Sequence, residues 1–462
     1  MDSNMIISQI GQQESFPKHL NIPMMLEDEH QFCSYDLQNY TSLSHIPGKS
    51  LGNAVLSAQE KTFAFGKSLG ETYLEKTVDS EAEILKNAII DSLCKQGYKI
   101  QDGVIRLPDD PSKNDFRVLN ELALQKKLEE AKPHIWRYEN RLIPYIASGT
   151  EVVPSAIRPK LVIVKPNTEN ELLFRYACLH WSIPVSAGYG RRLRFLVYDD
   201  NNGKLIGLFG LGDPVYSMQA RDTWIGWDKE NKAKNLYHMM DAYVLGAVPP
   251  YSMLLCGKLI AMLVCSNEVR IEFHKKYDGQ KSLIRQETRP PYLALVTTTS
   301  AFGRSSIYNR IRTSSHQYWT SLGFTQGTGD FHFSNGIYAD IRAFVEKNCM
   351  PTDKHAAWGD GFRNKREIIR KCLMQLGLSS KLRNHGIHRE IFAAPLGRNA
   401  IRFLRGEVKR PCFYDWPASE LADVFRERWL IGRAERKPEF REYDCEQYRL
   451  WSSRKDFKKG GT

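Results

Sequence analysis

TTTSAFGRSSIYNR (297–310) directly follows the apolar run at 292–296 and sets hydroxyls, a glycine and two arginines where a buried strand should end. In an open α/β sheet, ligands bind beyond the strand ends. The run YLALV reads as a buried strand, Gly303 permits a tight turn, and Ser305 and Ser306 are spaced to cap a helix begun at Ile307. The stretch therefore predicts a donor-rich pocket for an anion. Arg304 and Arg310 supply forked donors, and the free amides of the new helix point the same way. Ser300, Tyr308 and Asn309 complete the candidate ligand-binding residues of this turn. The plainer alternative is an ordinary capped helix after a core strand.

Working outward, RPKLVIVKP (158–166) predicts a strand and LLFRYACLHWSIP (172–184) a helix or edge element. RLRFLVYDDNNGKLIGLFGLGDP (192–214) predicts a hairpin whose turn, at 199–203, has the Asp, Asn and Gly that hairpins use. RDTWIGWDKENK (221–232) leads to a long apolar strand, HMMDAYVLGAV (238–248), a Pro249-Pro250 break and one helix over 252–277. Then come a strand over 292–299, a helix near 305–312, the segment YWTSLGF (318–324) and a glycine-broken strand pair around Gly327 and Gly329. The order strand, strand, strand, helix, strand, helix, strand predicts an α/β core with a mixed sheet. It is similar to the acetyltransferase-type (GNAT-like) fold, in which a hairpin precedes a central strand and a cofactor-facing helix.

Around this core, at 151–350, residues 1–75 are rich in Ser, Gln, Asn and Gly and read as a partly ordered arm, while 76–150 read as a small helical domain. Its helices are predicted at 80–96 and 118–131. From 351 to 462 the apolar residues fall at helical spacing between arginines and lysines, which predicts a separate basic helical domain with a frayed tail, SSRKDFKKGGT. The net charge of +12 follows this division. Residues 1–100 carry 8 Lys and Arg against 13 Asp and Glu, whereas 361–462 carry 24 against 13. A polyanion would dock on the C-terminal part.

The 462 residues, 42% hydrophobic, suffice for real cores. No run approaches the roughly 18 apolar residues of a membrane helix, and the first residues lack the basic start and apolar block of a signal peptide. Nine cysteines without a CxxC pair fit thiols in a reducing compartment. A cytoplasmic protein without membrane, cofactor or metal is expected. There is no HExxH, Walker A, GxSxG or post-strand GxGxxG motif. An acyl-CoA transferase would need backbone amides in the loop after the central strand. Here that loop is Pro249-Pro250-Tyr251, and Gly257 and Lys258 come about two turns too late. Lys258 is kept as a candidate ligand contact.

RDTWIGW allows Arg221 and Asp222 to form an internal ion pair with both indoles in the core. Alternatively, Trp224 or Trp227 stacks a base while Arg221 meets a phosphate. In SAGYGRRLR (186–194), Arg191, Arg192 and Arg194 form either a phosphate track or a solvated basic edge. In GTGDFHF, Asp330 and His332 are the candidate catalytic pair, an acid and a base able to reach the 300–310 turn. His385 and His388 share the i, i+3 spacing of one helix face but have no third ligand nearby.

SAIRP (155–159), WSIP with YGRRLRFLV (181–197), RDTWIGW, LGAVPPYSMLLCGKLIAML (245–263), TTTSAFGRSSIYNR and LGFTQGTGDFHF (322–333) together resemble the DruA-type proteins of Druantia anti-phage defence systems, over roughly 110–410. The resemblance implies a bacterial component of antiviral defence, encoded beside a large helicase-type partner; it supplies no reaction. The residues and the resemblance together suggest a protein that binds nucleic acid, DNA ahead of RNA. The alternatives are a transferase-like enzyme using the Ser/Arg turn with Asp330 and His332, and a non-catalytic scaffold for the helicase partner.

Overall fold

A computed structural model describes residues 68–108, 111–186, 190–281, 287–314, 316–334, 336–351, 358 and 362–451. The expected arm before residue 68, Gly188 and Tyr189 of the SAGYGRRLR motif, and the tail beyond residue 451 lie outside the described residues.

Nine strands are described. Two short ones, β1 (Lys99–Gln101) and β2 (Val104–Arg106), form a hairpin of their own. The other seven make one mixed sheet: β3 (Pro159–Ile163), β4 (Arg192–Asp199), β5 (Lys204–Gly212), β6 (Met239–Ala247), β7 (Leu295–Thr299), β8 (Thr320–Phe324) and β9 (Glu390–Pro395). Their order across the sheet is β3-β4-β5-β6-β7-β9-β8. The β6–β7 pair is parallel and every other pair is antiparallel.

The β4–β5 hairpin forms where the alternating sequence requires it. Asp199 is buried at its turn, where its carboxylate accepts from the amides of Arg158 at 3.0 Å and Asn201 at 3.1 Å. Gly203 closes the turn at φ 72°, a conformation open to glycine at no steric cost. The tyrosine of the Pro249-Pro250-Tyr251 loop donates to the same carboxylate at 3.0 Å.

Three predicted elements differ. The single helix over 252–277 is instead two helices, Cys256–Leu263 and Asn267–Tyr277. The first helix closes through i→i−3 bonds from the Cys265 and Ser266 amides to Met262 and Leu263, and the amide of Asn267, which opens the second helix, bonds to the carbonyl of Trp416 at 2.9 Å. The strand pair around Gly327 and Gly329 is absent from the described residues. Gly327 turns at φ 67° against Gly386, and Phe331–Phe333 follows as a single 3₁₀ turn. His385 and His388 lie in irregular chain, with Gly386 between them at φ 71°, not on a helix.

The segment from 351 to 462 has helices, but it also supplies β9, which lies between β7 and β8. The expected reading as a separate helical part misses this strand because IFAAP (391–395) is short and stands among helical patterns. The N-terminal helices Ser68–Lys95 and Lys113–Ile135 likewise share a core with later chain: Leu85, Ile89 and Phe116 pack in one cluster with Phe333, Ile341, Ile368 and Ile369. Two helices and a small hairpin cannot bury such residues alone.

One face of the sheet, bearing Phe195, Phe209, Met240 and Phe392, packs on the helices Cys256–Leu263, Asn267–Tyr277 and Ala418–Phe425. Trp319 is fully buried there and donates from its indole to the Ala261 carbonyl at 3.0 Å. The second face has two separate apolar patches. Leu196, Leu208 and Val244 meet Leu173 of the helix Glu169–Cys178, and Met239, Leu295 and Ala393 meet Ile225 and Phe403.

Gly207 of β5 sits so close to β6 that an added Cβ would stand 2.3 Å from the Gly246 carbonyl oxygen and 2.8 Å from the Ala247 Cα. Backbone cannot yield as a side chain does. Gly207→Ala is expected to cost about 3 kcal/mol or more, read as a lower midpoint of urea unfolding.

Candidate functional site

β7 ends at Thr299, and the chain turns back through Ser300 and Gly303 onto the start of β9. The Glu390 amide donates to Ser300 Oγ at 2.9 Å and to the Gly303 carbonyl at 3.1 Å. The Glu390 carboxylate is buried and accepts from the Ser305 amide at 2.9 Å, Asn309 Nδ2 at 3.1 Å and Ser321 Oγ at 2.8 Å. This corrects the expected anion pocket. The Ser305 amide and the Asn309 side chain are occupied by a carboxylate of the protein itself. The helix expected from 305 is a 3₁₀ turn, Tyr308–Arg310, too short to present several free amides. Ser305 Oγ accepts from the Ile307 amide at 3.2 Å, in the manner of a cap. Tyr308 is a core anchor, its ring 4.9 Å from Phe392 and 5.3 Å from Trp319.

What the turn leaves open is its basic rim. Arg304, Ser306 and Arg310 are exposed, and neither arginine has an ion pair among the described residues. The turn packs on the first turn of the helix Cys256–Leu263, where a Cβ on Gly257 would meet Ile307 Cδ1 at 3.7 Å. Lys258, in that helix, is buried, and its ammonium donates to the Ile307 carbonyl at 3.4 Å above the Trp429 ring. Burial, and then the nearby Arg310 guanidinium, lower its pKa. Arg428 lies 5.2 Å from the same Trp429 ring. Lys258 and Arg428 thus share one indole, Arg310 acts on Lys258, and none of the three has a carboxylate among its described partners.

The other predicted residues are differently employed. Arg191 is bound by Asp213 at 2.7 Å and by the Tyr237 carbonyl at 2.8 Å, and Arg194 by Glu171 at 2.8 Å. Arg221 is fully buried, paired with Asp222 at 2.6 Å and donating to the carbonyls of Val215 and Tyr216. Trp224 and Trp227 belong to an apolar cluster, with Trp227 Nε1 donating to the Leu404 carbonyl at 2.5 Å. The ion pair of the RDTWIGW motif is thus present, and its two indoles pack partly buried against that cluster. Arg192 alone of the SAGYGRRLR arginines lacks an ion pair among the described residues.

Asp330 and His332 do not reach the turn at 300–310. The Asp330 carboxylate is held by Arg383 at 2.6 and 3.1 Å and lies 3.6 Å from Arg366. His332 is fully buried, its Nε2 bonded to the Leu382 carbonyl at 2.8 Å, and its ring neighbours are Tyr98, Phe331, Phe333 and His385. Burial pushes its pKa down to about 4, so the ring is neutral near pH 7 and enclosed.

Two residues escaped the sequence reading. Glu390 opens the strand that completes the sheet. Asp241 stands in the middle of apolar β6, and a charge inside HMMDAYVLGAV was its visible signal. Asp241 Oδ1 accepts from Thr297 Oγ1 at 2.7 Å. Burial pushes its pKa up to about 6 against the opposing effects of Thr297 and Arg221.

The family model for the Druantia protein DruA matches residues 110–406. The chain belongs to the DruA family. It is 38% identical over 372 residues to the Druantia protein DruA of Escherichia coli (strain UMEA 4076-1), a span covering 80% of this chain and 90% of that one. DruA is a component of Druantia anti-phage defence. No solved structure matches the chain. Among the described residues, no helix is long and apolar enough to cross a membrane.

Truncating the buried carboxylate in Glu390→Ala strands three donors and is expected to cost about 3 kcal/mol by urea unfolding, with faster proteolysis within 300–310. Asp241 gives a second expectation. Its folded pKa of about 6 exceeds its ordinary value of 3.8, so the folded protein binds the extra proton and stability falls as pH rises from about 4 to about 6. Asp241→Asn removes that cost. Its stability gain should approach about 3 kcal/mol at pH 7.5 and vanish near pH 4, compared by urea unfolding at both pH values.

Proposed function

We propose that this DruA-family chain acts in anti-phage defence by holding nucleic acid on the rim formed by Arg304 and Arg310, with Lys258 and Arg428 beside them. The observation that carries this reading is the sorting of the arginines. Arg191, Arg194 and Arg221 are consumed by Asp213, Glu171 and Asp222, whereas Arg304 and Arg310 are exposed without an acidic partner among the described residues. A phosphate backbone is recognised by such unpaired guanidinium groups, and releases counterions when they engage. Arg428 comes from the C-terminal stretch where the excess of positive charge lies. DNA is the preferred ligand, and a helicase-type protein the expected partner in the defence system.

The transferase-like alternative draws support from the sheet, in which a hairpin precedes central β6 and two helices lead to parallel β7. That order fits a GNAT-like core. The alternative loses the residues first assigned to its proton transfer, since Asp330 is neutralised by arginines and His332 is enclosed.

Fluorescence anisotropy with labelled single- and double-stranded DNA and RNA across a salt series tests the rim. Tight, salt-sensitive binding is expected. The Arg304→Ala, Arg310→Ala double variant, with an unchanged melting temperature, should bind weakly and flatten the slope of log K against log salt by about 2. Absence of binding at low salt would point to the scaffold role, with these arginines docking the helicase-type partner.

A further inference from the structure

The second face of the sheet carries a polar seam between its two apolar patches. Register sets Arg192 of β4 opposite Gly212 of β5, Gly212 opposite Asp241 of β6, and Asp241 opposite Thr297 of β7. Residues opposite one another point to the same side, so Arg192, Asp241 and Thr297 form one row with a gap at the glycine. Two strand spacings, about 9.5 Å, separate the arginine from the aspartate along that row. The next glycine on this face, Gly210, lies under the Tyr243 ring, where an added Cβ would stand 2.5 Å from the hydroxyl. Trp181 covers Gly246 in the same way, at 3.0 Å from such a Cβ. Both rings therefore lie close over the backbone of the sheet, and both are partly exposed.

Four side chains in this seam have unused binding capacity. Arg192 has no ion pair among the described residues, and its Nε is buried without a hydrogen-bond partner, although Arg194 on the same strand is held by Glu171. The partly exposed Asp241 carboxylate has one hydrogen bond among the described residues, from Thr297, and so keeps acceptor lone pairs. The flat rings of Tyr243 and Trp181 offer a surface on which a planar base stacks. Arg221 and Tyr308 interact electrostatically with Asp241, and Cys178, Arg194 and Arg192 with Tyr243.

We propose that this seam binds a phosphorylated nucleoside, with the base against Tyr243, its exocyclic amino group donating to Asp241, and its phosphate on Arg192. Adenine and cytosine carry such an amino group, as guanine does on its other side. Hypoxanthine and uracil set a carbonyl in its place and keep only the adjacent ring N–H as a donor, so they offer the carboxylate fewer hydrogen bonds. A free mononucleotide and the terminal nucleotide of a single strand present the same chemistry. None of the rim residues Arg304, Arg310 and Lys258 takes part.

Isothermal titration of the full chain at pH 7.5 with AMP, CMP, IMP and UMP tests the assignment. AMP and CMP should bind at least about tenfold more tightly than IMP and UMP. Asp241→Ala should erase that preference, and Asp241→Asn, which keeps a neutral acceptor, should reduce it. Arg192→Ala should weaken AMP while leaving adenosine unchanged. A short single-stranded adenine oligonucleotide, titrated into the Arg304→Ala, Arg310→Ala variant, separates the two sources. Binding of AMP identifies a free nucleotide, and binding of the oligonucleotide alone identifies a strand end. The same double variant should retain the AMP site, so failure of the rim and failure of the seam are told apart. If neither the four nucleotides nor the oligonucleotide binds protein with a native circular dichroism spectrum, the assignment is overturned. It is equally overturned if AMP and IMP bind alike and Asp241→Ala changes neither.

Discussion

The buried carboxylate of Glu390 is the constraint on which the rest of the molecule turns. It stands at the first residue of β9 and accepts from Ser305 and Asn309, in the turn after β7, and from Ser321 of β8. One acidic group therefore fixes the register of three segments that are far apart in sequence. A carboxylate removed from water must have its lone pairs met by donors. Here the donors come from a serine- and asparagine-rich turn, which explains a composition that otherwise suggests a ligand pocket. By drawing these donors inward, Glu390 leaves Arg304, Ser306 and Arg310 on the outside. The turn is rigid in its interior and basic at its rim.

The same division between satisfied and unsatisfied charge runs through the whole chain. Arg191, Arg194, Arg221 and Arg383 each have a carboxylate within 2.8 Å. Their surroundings are partly or fully buried, where losing one partner would leave a costly lone charge. Such arginines hold loops and helices to the sheet. Of the arginines in the two basic motifs, SAGYGRRLR and the 297–310 turn, those with no ion pair among the described residues are the exposed Arg304 and Arg310 and the half-buried Arg192. Basic composition alone would not have separated these two populations.

Much of the fold is legible in the sequence where the information is local. The alternation of RLRFLVYD and the Asp and Gly of the following turn specify the β4–β5 hairpin, and the apolar run at 238–248 specifies β6. The core position of Arg221 with Trp224 and Trp227 also follows from residue type. What local patterns miss is decided by distant chain. The helix that starts after the break at Leu263 opens on a carbonyl of distant Trp416, and Gly327 turns against Gly386. β9 is a short apolar run whose pairing with β7 and β8 no window of sequence reports. The candidate site divides in the same way. Its arginines were visible in TTTSAFGRSSIYNR, but the carboxylate that occupies the serine turn lies 85 residues further along.

The insertion of β9 also sets when the sheet can close. Among the described residues, β8 has no strand neighbour other than β9, and β7 has only β6 on its other side. Until residue 395 has been synthesised, β7 therefore presents an open edge and β8 has nothing to pair with. Non-local pairing of this kind is slow, and an uncovered strand edge is a template for the wrong partner. Pro290 and Pro291, a few residues before β7, limit how far a foreign strand could extend along that edge. Arrival of the last strand covers the edge of β7 and gives β8 its partner, and the Glu390 carboxylate it brings takes up the donors of the 300–310 turn in the same event. A polypeptide ended before β9 would carry Arg304 and Arg310 but not the carboxylate that orders the turn bearing them.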